Sequence, residues 1–286
     1  MSFLFEAVPR GRVAVFRVLV YGFVLFDVLV ATNWVGRHGW APSSLYQPIG
    51  PDHFLPLPVP TEAVVTLVQG GLVVAAVAAL TGRLPRLLGW TVAALYVERM
   101  LIAYSYGKVD HDRFAIIVAL VVLPTVGRVK WGDRTPSEAA GWALRCVQLA
   151  VVATYFLAAF AKFRYGDGLA WLTSTTLLRA VVRRGTWLAD PLIEWPIVLQ
   201  ATQYGIIALE LASPLVFVRR FRTWMLATFA AFHAVTYAML TIIFLPHVVC
   251  LASFLPLERL RLPLVARSAA RDRRPGQLLV DPDVAR

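Results

Sequence analysis

Four residues in or beside apolar runs have side chains that can exchange protons. Lys162 ends one long apolar run, and Lys108 and His111 lie together in the segment SYGKVDH between two others. His233 lies in the middle of a further run. An amine or imidazole that is partly shielded from water is destabilised in its charged form, so these residues are candidates for a general-base site.

Lysine is rare in this chain, which makes each lysine informative. Of 28 basic residues only Lys108, Lys130 and Lys162 are lysines, and the rest are arginines. A guanidinium keeps its proton in a protein, whereas a lysine in a dry site can lose it. Two of the three lysines lie beside the predicted site, and this favours a role in proton transfer.

Other polar side chains share a helix face or a neighbouring turn with these residues. Gln148, Tyr155 and Lys162 recur at intervals of seven, so they lie on roughly one face of a helix. Tyr237 follows His233 by about one helical turn. Three separate helices thereby bring proton-accepting groups to a similar depth in the membrane, and we expect a partly dry basic pocket there.

Each of these residues also has a structural interpretation. Lys162 can be an interfacial lysine that extends its amine to the headgroups. The segment SYGKVDH can be a solvated turn, and His233 can be a hydrogen-bonded core residue. A titratable residue within a membrane helix nevertheless favours a functional role, because burying it is costly.

Other classes of site lack their sequence patterns. The chain has no HxxxH, no HExxH, and no carboxylate run with ligand spacing, so no metal site is predicted. Haem ligation by His111, His233 and His247 is conceivable, but no pattern indicates it. Cys146 and Cys250 form no CxxC dithiol and are interpreted as core residues.

The elements that position these residues are apolar enough to lie in a membrane. Hydrophobic residues make up 58% of the chain, charged residues 16%, and the mean hydropathy is +0.65. We expect an all-α polytopic membrane helical bundle of about eight transmembrane helices over residues 1–258, followed by a basic cytoplasmic tail over 259–286. The predicted spans are 13–31, 62–80, 84–105, 111–127, 139–162, 195–217, 223–244 and 246–258.

The distribution of basic residues predicts the orientation. With the N-terminus in the cytoplasm, 17 of the 28 basic residues fall on the cytoplasmic side and eight on the other side. Both termini are therefore expected to be cytoplasmic, and the net charge of +11 indicates topology rather than a nucleic-acid surface. The outside segment 32–61 is expected to form an interfacial lid without regular structure, and 163–194 to contain an interfacial amphipathic stretch.

The remaining charges within the spans are expected to form structural ion pairs toward the inner half. Arg17 and Asp27 lie on the first span, and Glu98 and Arg99 on the third. Glu210 and Arg145 are available to join these pairs. The arginine-rich and Ala/Val-rich usage indicates a GC-rich bacterial genome, so the expected location is the bacterial cytoplasmic membrane, with the site facing the extracytoplasmic side.

Three segments resemble the HTTM domain, the membrane domain shared with vitamin K-dependent γ-carboxylases. The segment YFLAAFAKFRYGDGLAW resembles the family's lysine segment and places that lysine at Lys162. The segment SYGKVDHDRF resembles the histidine segment and places that histidine at His111. The segment FHAVTYAMLTIIFLPHVVCLASF is similar to the family's last two helices, so the likeness spans about residues 10–258.

The resemblance implies an activity and its cofactors. In the family, a neutral lysine deprotonates a vitamin K hydroquinone, and reaction with oxygen then yields a strong base that removes a γ-proton from a peptide glutamate before carbon dioxide is captured. The implied cofactors are menaquinol or a similar naphthoquinol, O2, and CO2 where carboxylation is retained, without a metal. Lys162 and His111 become the expected catalytic residues, with Lys108, His233, Tyr155, Tyr237 and Gln148 as pocket partners.

Two functions of different classes remain open from the sequence. The first is a short bacterial carboxylase-like enzyme, without the lumenal domain, that modifies a peptide or small acid at the extracytoplasmic face. The second is a non-catalytic membrane subunit for maturation or export of a secreted peptide toxin, working with small partner proteins. Lipid and a lipid-soluble quinol are expected partners, and nucleic acid is not. A transporter is disfavoured because no internal repeat is found.

Overall fold

The chain is almost entirely helical. In the part of it that the structure describes, 78% of residues are helical and there is almost no sheet, so the all-α prediction is confirmed. The structure is a computed structural model, and the residues it describes are 3–49, 58–107, 109, 111–166 and 169–260.

Ten α-helices follow one another in the described residues, several of them extended by 3-10 or π-helical turns. Long Ala-, Val- and Leu-rich runs form them, because a helix satisfies all its backbone hydrogen bonds internally where lipid offers none. Their bounds are α1 Arg10–Phe26, α2 Glu62–Leu80, α3 Pro85–Tyr104, α4 Phe114–Val122, α5 Glu138–Tyr165, α6 Ala170–Thr173, α7 Thr176–Arg184, α8 Pro196–Ala212, α9 Arg222–Leu240 and α10 Leu245–Leu251.

Among the described residues, five helical segments are long and apolar enough to cross a membrane, which indicates an integral membrane protein. They are α2, α3, α5, α9, and α1 together with the π-helical turn Asp27–Ala31. The other three predicted spans also coincide with helices, but these are shorter α-helices with 3-10 turns at an end. The count of eight spans therefore stays a prediction.

Prolines explain why two of these helices, α4 and α8, are short. Pro124 lies in the 3-10 turn that follows α4, and Pro214 lies in the one that follows α8. Proline has no backbone N–H, so the α-helical hydrogen-bond ladder breaks near it. Pro246 lies instead in the first turn of α10, where the missing donor would have no partner within the helix.

The main hydrophobic core lies among α1 to α5 and α10. It contains Phe16 and Tyr21 of α1, Tyr96 of α3, and Ile116 and Leu120 of α4, all fully or nearly fully buried. Small residues let these helices approach closely, as is usual in membrane bundles. They include Ala75, Ala76, Ala93, Ala115, Ala119, Ala140 and Ala143.

One end of the bundle joins three distant parts of the chain. Strand β1 (Val8–Pro9) pairs antiparallel with β2 (Pro136–Ser137), which fixes the N-terminal segment to the loop before α5. At the same end, Arg12 donates two hydrogen bonds of 2.8 and 2.9 Å to the Glu258 carboxylate. The segments before α1, between α4 and α5, and after α10 thus share one end.

The opposite end carries the two long connecting segments. The prediction that 32–61 lacks regular structure is wrong for two stretches, because Asn33–Trp40 and Ser43–Leu45 form 3-10 helices. The segment is tied to the end of α3, since the Gln47 N–H donates to the Ser105 carbonyl at 3.1 Å. Residues 50–57 lie outside the described ones. The expected amphipathic stretch corresponds to α6 and α7.

The buried charges pair differently from the prediction. Asp27 binds Arg113 at 2.8 Å and accepts a hydrogen bond from Tyr96 at 3.0 Å. Arg17 instead donates to the carbonyls of Leu123 and Gly127 at 2.5 and 2.6 Å. Asp27 therefore forms a structural ion pair, but with Arg113 rather than with one of the charged residues grouped with it in the sequence, and Arg17 binds backbone carbonyls instead of a carboxylate.

Candidate functional site

A cavity of about 1110 Å³ lies between α5, α8 and α9, at the end of the bundle opposite the β1–β2 pair. Its walls are mostly apolar side chains of these helices and of α4, α7 and α10. Four residues predicted as site residues line it, namely Lys162, His111, Tyr155 and His233. The structure therefore brings these four side chains to one space, while their chemical roles stay predictions.

Lys162 lies in the last turn of α5 and directs its amine back toward the bundle. Its Nζ lies 2.5 and 2.8 Å from the two carboxylate oxygens of Glu210 and 3.4 Å from the carbonyl of Ala158, one turn earlier. The Trp171 ring lies 5.3 Å from the same atom. A snorkelling lysine would extend its amine outward to the headgroups, so this geometry disagrees with the interfacial interpretation.

Glu210 is the main site residue that the sequence prediction placed wrongly. Its side chain is 7% exposed and that of Lys162 is 22% exposed, so their ion pair is largely shielded from water. We expected Glu210 to be available for the structural ion pairs of the inner half, and we expected a partly dry basic pocket without a carboxylate among its named residues. Helical side chains point toward the N-terminus, so the Lys162 amine reaches inward along α5 to the level of Glu210.

The polar face of α8 was visible in the sequence as the seven-residue spacing of Gln203 and Glu210. In the structure the Gln203 amide donates to the Trp171 carbonyl at 2.8 Å, and its oxygen accepts from the Leu177 N–H at 3.0 Å. Gln203 thereby holds α6 and α7 over the cavity, while Glu210 faces Lys162. This spacing is the sequence signal for a polar face on α8, but it does not indicate which helix that face contacts.

A second polar group in the cavity consists of Tyr155, His233 and His247. The Tyr155 hydroxyl and His233 Nε2 lie 2.7 Å apart, and the Tyr155 ring stacks on Phe229 at 4.4 Å. The His247 ring stands edge-on to Tyr155 at 4.7 Å and lies 5.5 Å from His233. The hydroxyl and the stacked ring hold His233 in a defined orientation.

His111 lines the same cavity from the 3-10 turn that precedes α4. Its ring lies 6.3 Å from the Phe244 ring, which in turn lies 5.5 Å from His233. His111 and His233 thus share an aromatic neighbour across this part of the cavity. Lys108, the other predicted partner in this segment, lies outside the described residues.

Two predicted pocket partners do not line the cavity. Gln148 accepts a hydrogen bond from Arg145 at 3.0 Å and donates one to the Ser253 carbonyl at 2.8 Å. It lies 14 residues before Lys162, which is about 21 Å along the helix, so the shared face does not give shared surroundings. Tyr237 is 56% exposed: four residues turn the helix by about 400°, so Tyr237 is offset from His233 by only about 40° around α9, and this offset lies toward the exposed side.

The cavity opens sideways between α8 and α9. Thr202 of α8 and Thr228, Ala231 and Val235 of α9 line it and are exposed, which indicates an opening on this side. α9 is one of the five helices apolar enough to span a membrane, so this opening would face the hydrocarbon region. A lipid-soluble molecule could therefore reach the cavity without passing through water.

Comparisons of the chain with protein-family models, curated proteins and solved structures found no match. The resemblance to the HTTM domain therefore stays an expectation from three short segments. The function is argued below from the geometry of the cavity.

The arrangement suits proton transfer. Within the described ranges, no group of three or more His, Cys, Asp or Glu residues is placed to hold a metal ion. The Lys162–Glu210 pair offers one proton donor and one acceptor in direct contact, and the Tyr155–His233 pair offers another set. Both pairs face a mostly apolar space, where water does not compete for their protons.

Proposed function

We propose that this chain is an integral membrane enzyme, similar to vitamin K-dependent γ-carboxylases, in which Lys162 is the base that takes a proton from a reduced naphthoquinone. The observation that carries the proposal is the inward-turned Lys162 amine, held by Glu210 in an apolar cavity. With O2, the product of this step would modify a peptide or small acid at the extracytoplasmic face, with CO2 consumed where the modification is a carboxylation.

The cavity fits the chemistry of a naphthoquinol. Its volume of about 1110 Å³ and apolar walls suit a bicyclic ring with part of an isoprenoid tail, and the opening between α8 and α9 gives a path from lipid. Nδ1 of His233 is buried without a partner in the described residues, and its ring lines the cavity, so a hydrogen-bonding group lies at the cavity wall for a ring oxygen. When bound, a naphthoquinol supplies two hydroxyl protons and two electrons for the reduction of oxygen.

Glu210 makes a neutral amine at Lys162 attainable. A charged pair is strongly destabilised where water is excluded, and transfer of one proton from Nζ of Lys162 to Oε1 of Glu210 gives a neutral amine and a neutral acid. The 2.5 Å contact between these atoms is a direct path for that proton. The amine can then accept a proton from a hydroxyl group in the cavity, while Glu210 keeps the first one.

The histidines would orient the reacting molecule. Tyr155 fixes the ring of His233, so Nδ1 keeps a constant position. His111 can donate or accept a hydrogen bond from another part of the cavity wall, which suits an orienting or anion-stabilising role.

The experiment that tests this function measures oxygen uptake driven by a reduced 2-methyl-1,4-naphthoquinol in nanodiscs that contain the purified protein. We expect the wild type and the control Lys130→Ala, an exposed loop residue, to consume oxygen faster than empty nanodiscs. Lys162→Ala should lower the rate toward that of empty nanodiscs. Equal rates for the wild type and Lys162→Ala would contradict the proposal.

The proposed topology has eight spans, both termini in the cytoplasm, and the cavity in the extracytoplasmic half. The 17-to-8 distribution of basic residues supports it. The shared end of the N-terminal segment, the α4–α5 loop and Glu258 also supports it, because an even number of crossings must separate segments at one end.

Cysteine labelling tests this topology in a Cys146→Ala background. A membrane-impermeant maleimide should label Ser44→Cys in intact cells and should label Lys130→Cys only after the membrane is opened. Both positions are exposed, so access to the reagent decides the result. The reverse pattern would overturn the orientation.

The alternative is a non-catalytic membrane subunit that helps to mature or export a secreted peptide toxin. Exposed basic residues of α7, at the end of the bundle that holds the cavity, favour it because they could attract an acidic segment. These are Arg179, Arg183 and Arg184. Loss of peptide maturation on deleting the protein, together with no quinol-dependent oxygen uptake, would support this function.

A further inference from the structure

His247 is a buried polar residue to which no role has been given so far. It lies in the first turn of α10, is 2% exposed, and lines the cavity. Neither of its ring nitrogens has a hydrogen-bond partner in the part of the chain that the structure describes. Its contacts with Tyr155 and His233 are ring-to-ring contacts.

An unpartnered buried imidazole needs an explanation. Most buried polar side-chain atoms in proteins have a hydrogen-bond partner, and leaving one without a partner destabilises the folded state. Replacement by leucine would remove this penalty at similar volume. The ring borders the cavity, although both of its nitrogens are covered in this structure, so the penalty is explained if a small turn of the ring lets a ligand become the missing partner.

We propose that His247 binds a ring oxygen of the apolar molecule that occupies the cavity. For the class of ligand, a naphthoquinone or naphthoquinol, this rests on the proposed function. A neutral imidazole carries one donor and one acceptor nitrogen. His247 can therefore donate to the carbonyl oxygen of the oxidised ring or accept from the hydroxyl of the reduced ring, and it can hold both redox forms.

Two probes of similar shape separate this role from general packing. One is 2-methyl-1,4-naphthoquinone, and the other is 2-methylnaphthalene, which lacks the oxygens. Their binding is measured by equilibrium dialysis against nanodiscs with the protein, with empty nanodiscs as the reference. We expect His247→Leu to weaken binding of the quinone about tenfold and to change binding of the hydrocarbon by less than about twofold.

Thermal unfolding of the unliganded protein provides the second measurement. Because His247→Leu removes an unsatisfied buried group, the variant should unfold at the same temperature as the wild type or a higher one. His247→Asn, which keeps a donor and an acceptor, should retain more affinity for the quinone than His247→Leu. A purely structural histidine would instead give a lower unfolding temperature and an equal loss for both probes, and this would overturn the proposal.

Ser253→Ala is the matched control. Ser253 is fully buried, its hydroxyl is also unpartnered in the described residues, and it lies close to α10 but does not line the cavity. Its substitution should leave the affinities for both probes unchanged. An equal loss of quinone affinity in Ser253→Ala and His247→Leu would contradict a specific contact at His247.

The outcome separates this inference from the proposed function. If the quinone depends on His247 but the wild type shows no oxygen uptake, the inference stands and the enzymatic proposal fails. If oxygen uptake depends on Lys162 but His247→Leu binds the quinone normally, only the inference fails. If the wild type binds neither probe, both are overturned.

Discussion

Two regions of the bundle use buried charges in different ways. In the closed region, formed by α1, α3 and α4, Asp27 is held by Arg113 and Tyr96, and Arg99 donates to Thr32. In the cavity region, formed by the end of α5 with α8 and α9, a lysine meets a carboxylate beside open space. The closed region uses arginine, which keeps its proton, and the cavity region uses the residue that can release one.

The two regions also differ in how much of their helices the protein covers. Over the most apolar window, 56% of the Arg10–Ala31 helix is buried, against 17% for Arg222–Leu240. α9 therefore turns most of its surface to the surroundings while one face lines the cavity. A densely packed region is expected to provide stability, and a loosely covered one can admit a ligand.

The largest expected effect on stability comes from breaking the pair in the closed region. Asp27→Asn leaves Arg113 buried beside a neutral amide, and loss of one partner of a buried pair costs about 3 kcal/mol or more. Chemical unfolding in detergent should show a clear drop in the free energy of unfolding. A change below about 1 kcal/mol would mean that the pair is dispensable and would break the comparison.

Glu210→Gln is the matching change in the cavity region. It should lower stability only slightly but lower activity strongly. In the proposed state Glu210 is a neutral acid, which glutamine replaces at nearly the same size, so we expect a loss of stability of about 1 kcal/mol or less. A glutamine cannot take the Lys162 proton, so quinol-driven oxygen uptake should fall by about 10- to 100-fold. Unchanged oxygen uptake would show that Glu210 only anchors the lysine.

Tyr155→Phe tests the smaller contribution of the hydroxyl in the cavity. The variant keeps the ring stacked on Phe229 but loses the hydrogen bond to His233, which is worth about 0.5–1.5 kcal/mol. Oxygen uptake should fall a few-fold because His233 is less well oriented. Tyr21→Phe, whose buried hydroxyl has no partner in the described residues, is the control and should leave oxygen uptake unchanged.

The sequence predicted the helices well because their signal is local. Each of the eight apolar runs coincides with a helical segment, and the N-cap residues Thr61 and Ser137 stand directly before two of them. The number of membrane-spanning helices does not follow from this local signal, because prolines shorten α4 and α8 and turn their ends into 3-10 helices. Five helices meet the length requirement, and crossing by the others depends on tilt and packing.

Part of the site could be predicted for the same local reason. Lys162 and His111 lie at the ends of neighbouring helices. Their similar predicted depth in the membrane was therefore enough to place them near the same cavity. The partner of Lys162 could not be predicted, because helical spacing identifies the polar face of Glu210 but not the helix that it meets. For Gln148 the helical spacing was misleading. It lies on the same face of α5 as Lys162, but at a different level of the bundle, where its neighbours are different.

His247 illustrates what only the structure reveals. In the sequence it is one histidine in an apolar stretch, beside a proline, and nothing separates it from a core residue. The distinguishing property is that its two ring nitrogens lack partners among the described residues while it borders a cavity. Hydrogen-bond satisfaction depends on neighbours from α5 and α9, which are remote in sequence.

The most direct test of Lys162 as the base compares Lys162→Arg with the wild type. Arginine keeps the charge and can still pair with Glu210, but it cannot act as a base. We expect quinol-driven oxygen uptake to fall by about 10²- to 10⁴-fold in Lys162→Arg, while Lys130→Arg keeps the wild-type rate and both variants assemble in the membrane. Full activity in Lys162→Arg would show that this position needs only a positive charge, and it would contradict the assignment of Lys162 as the base.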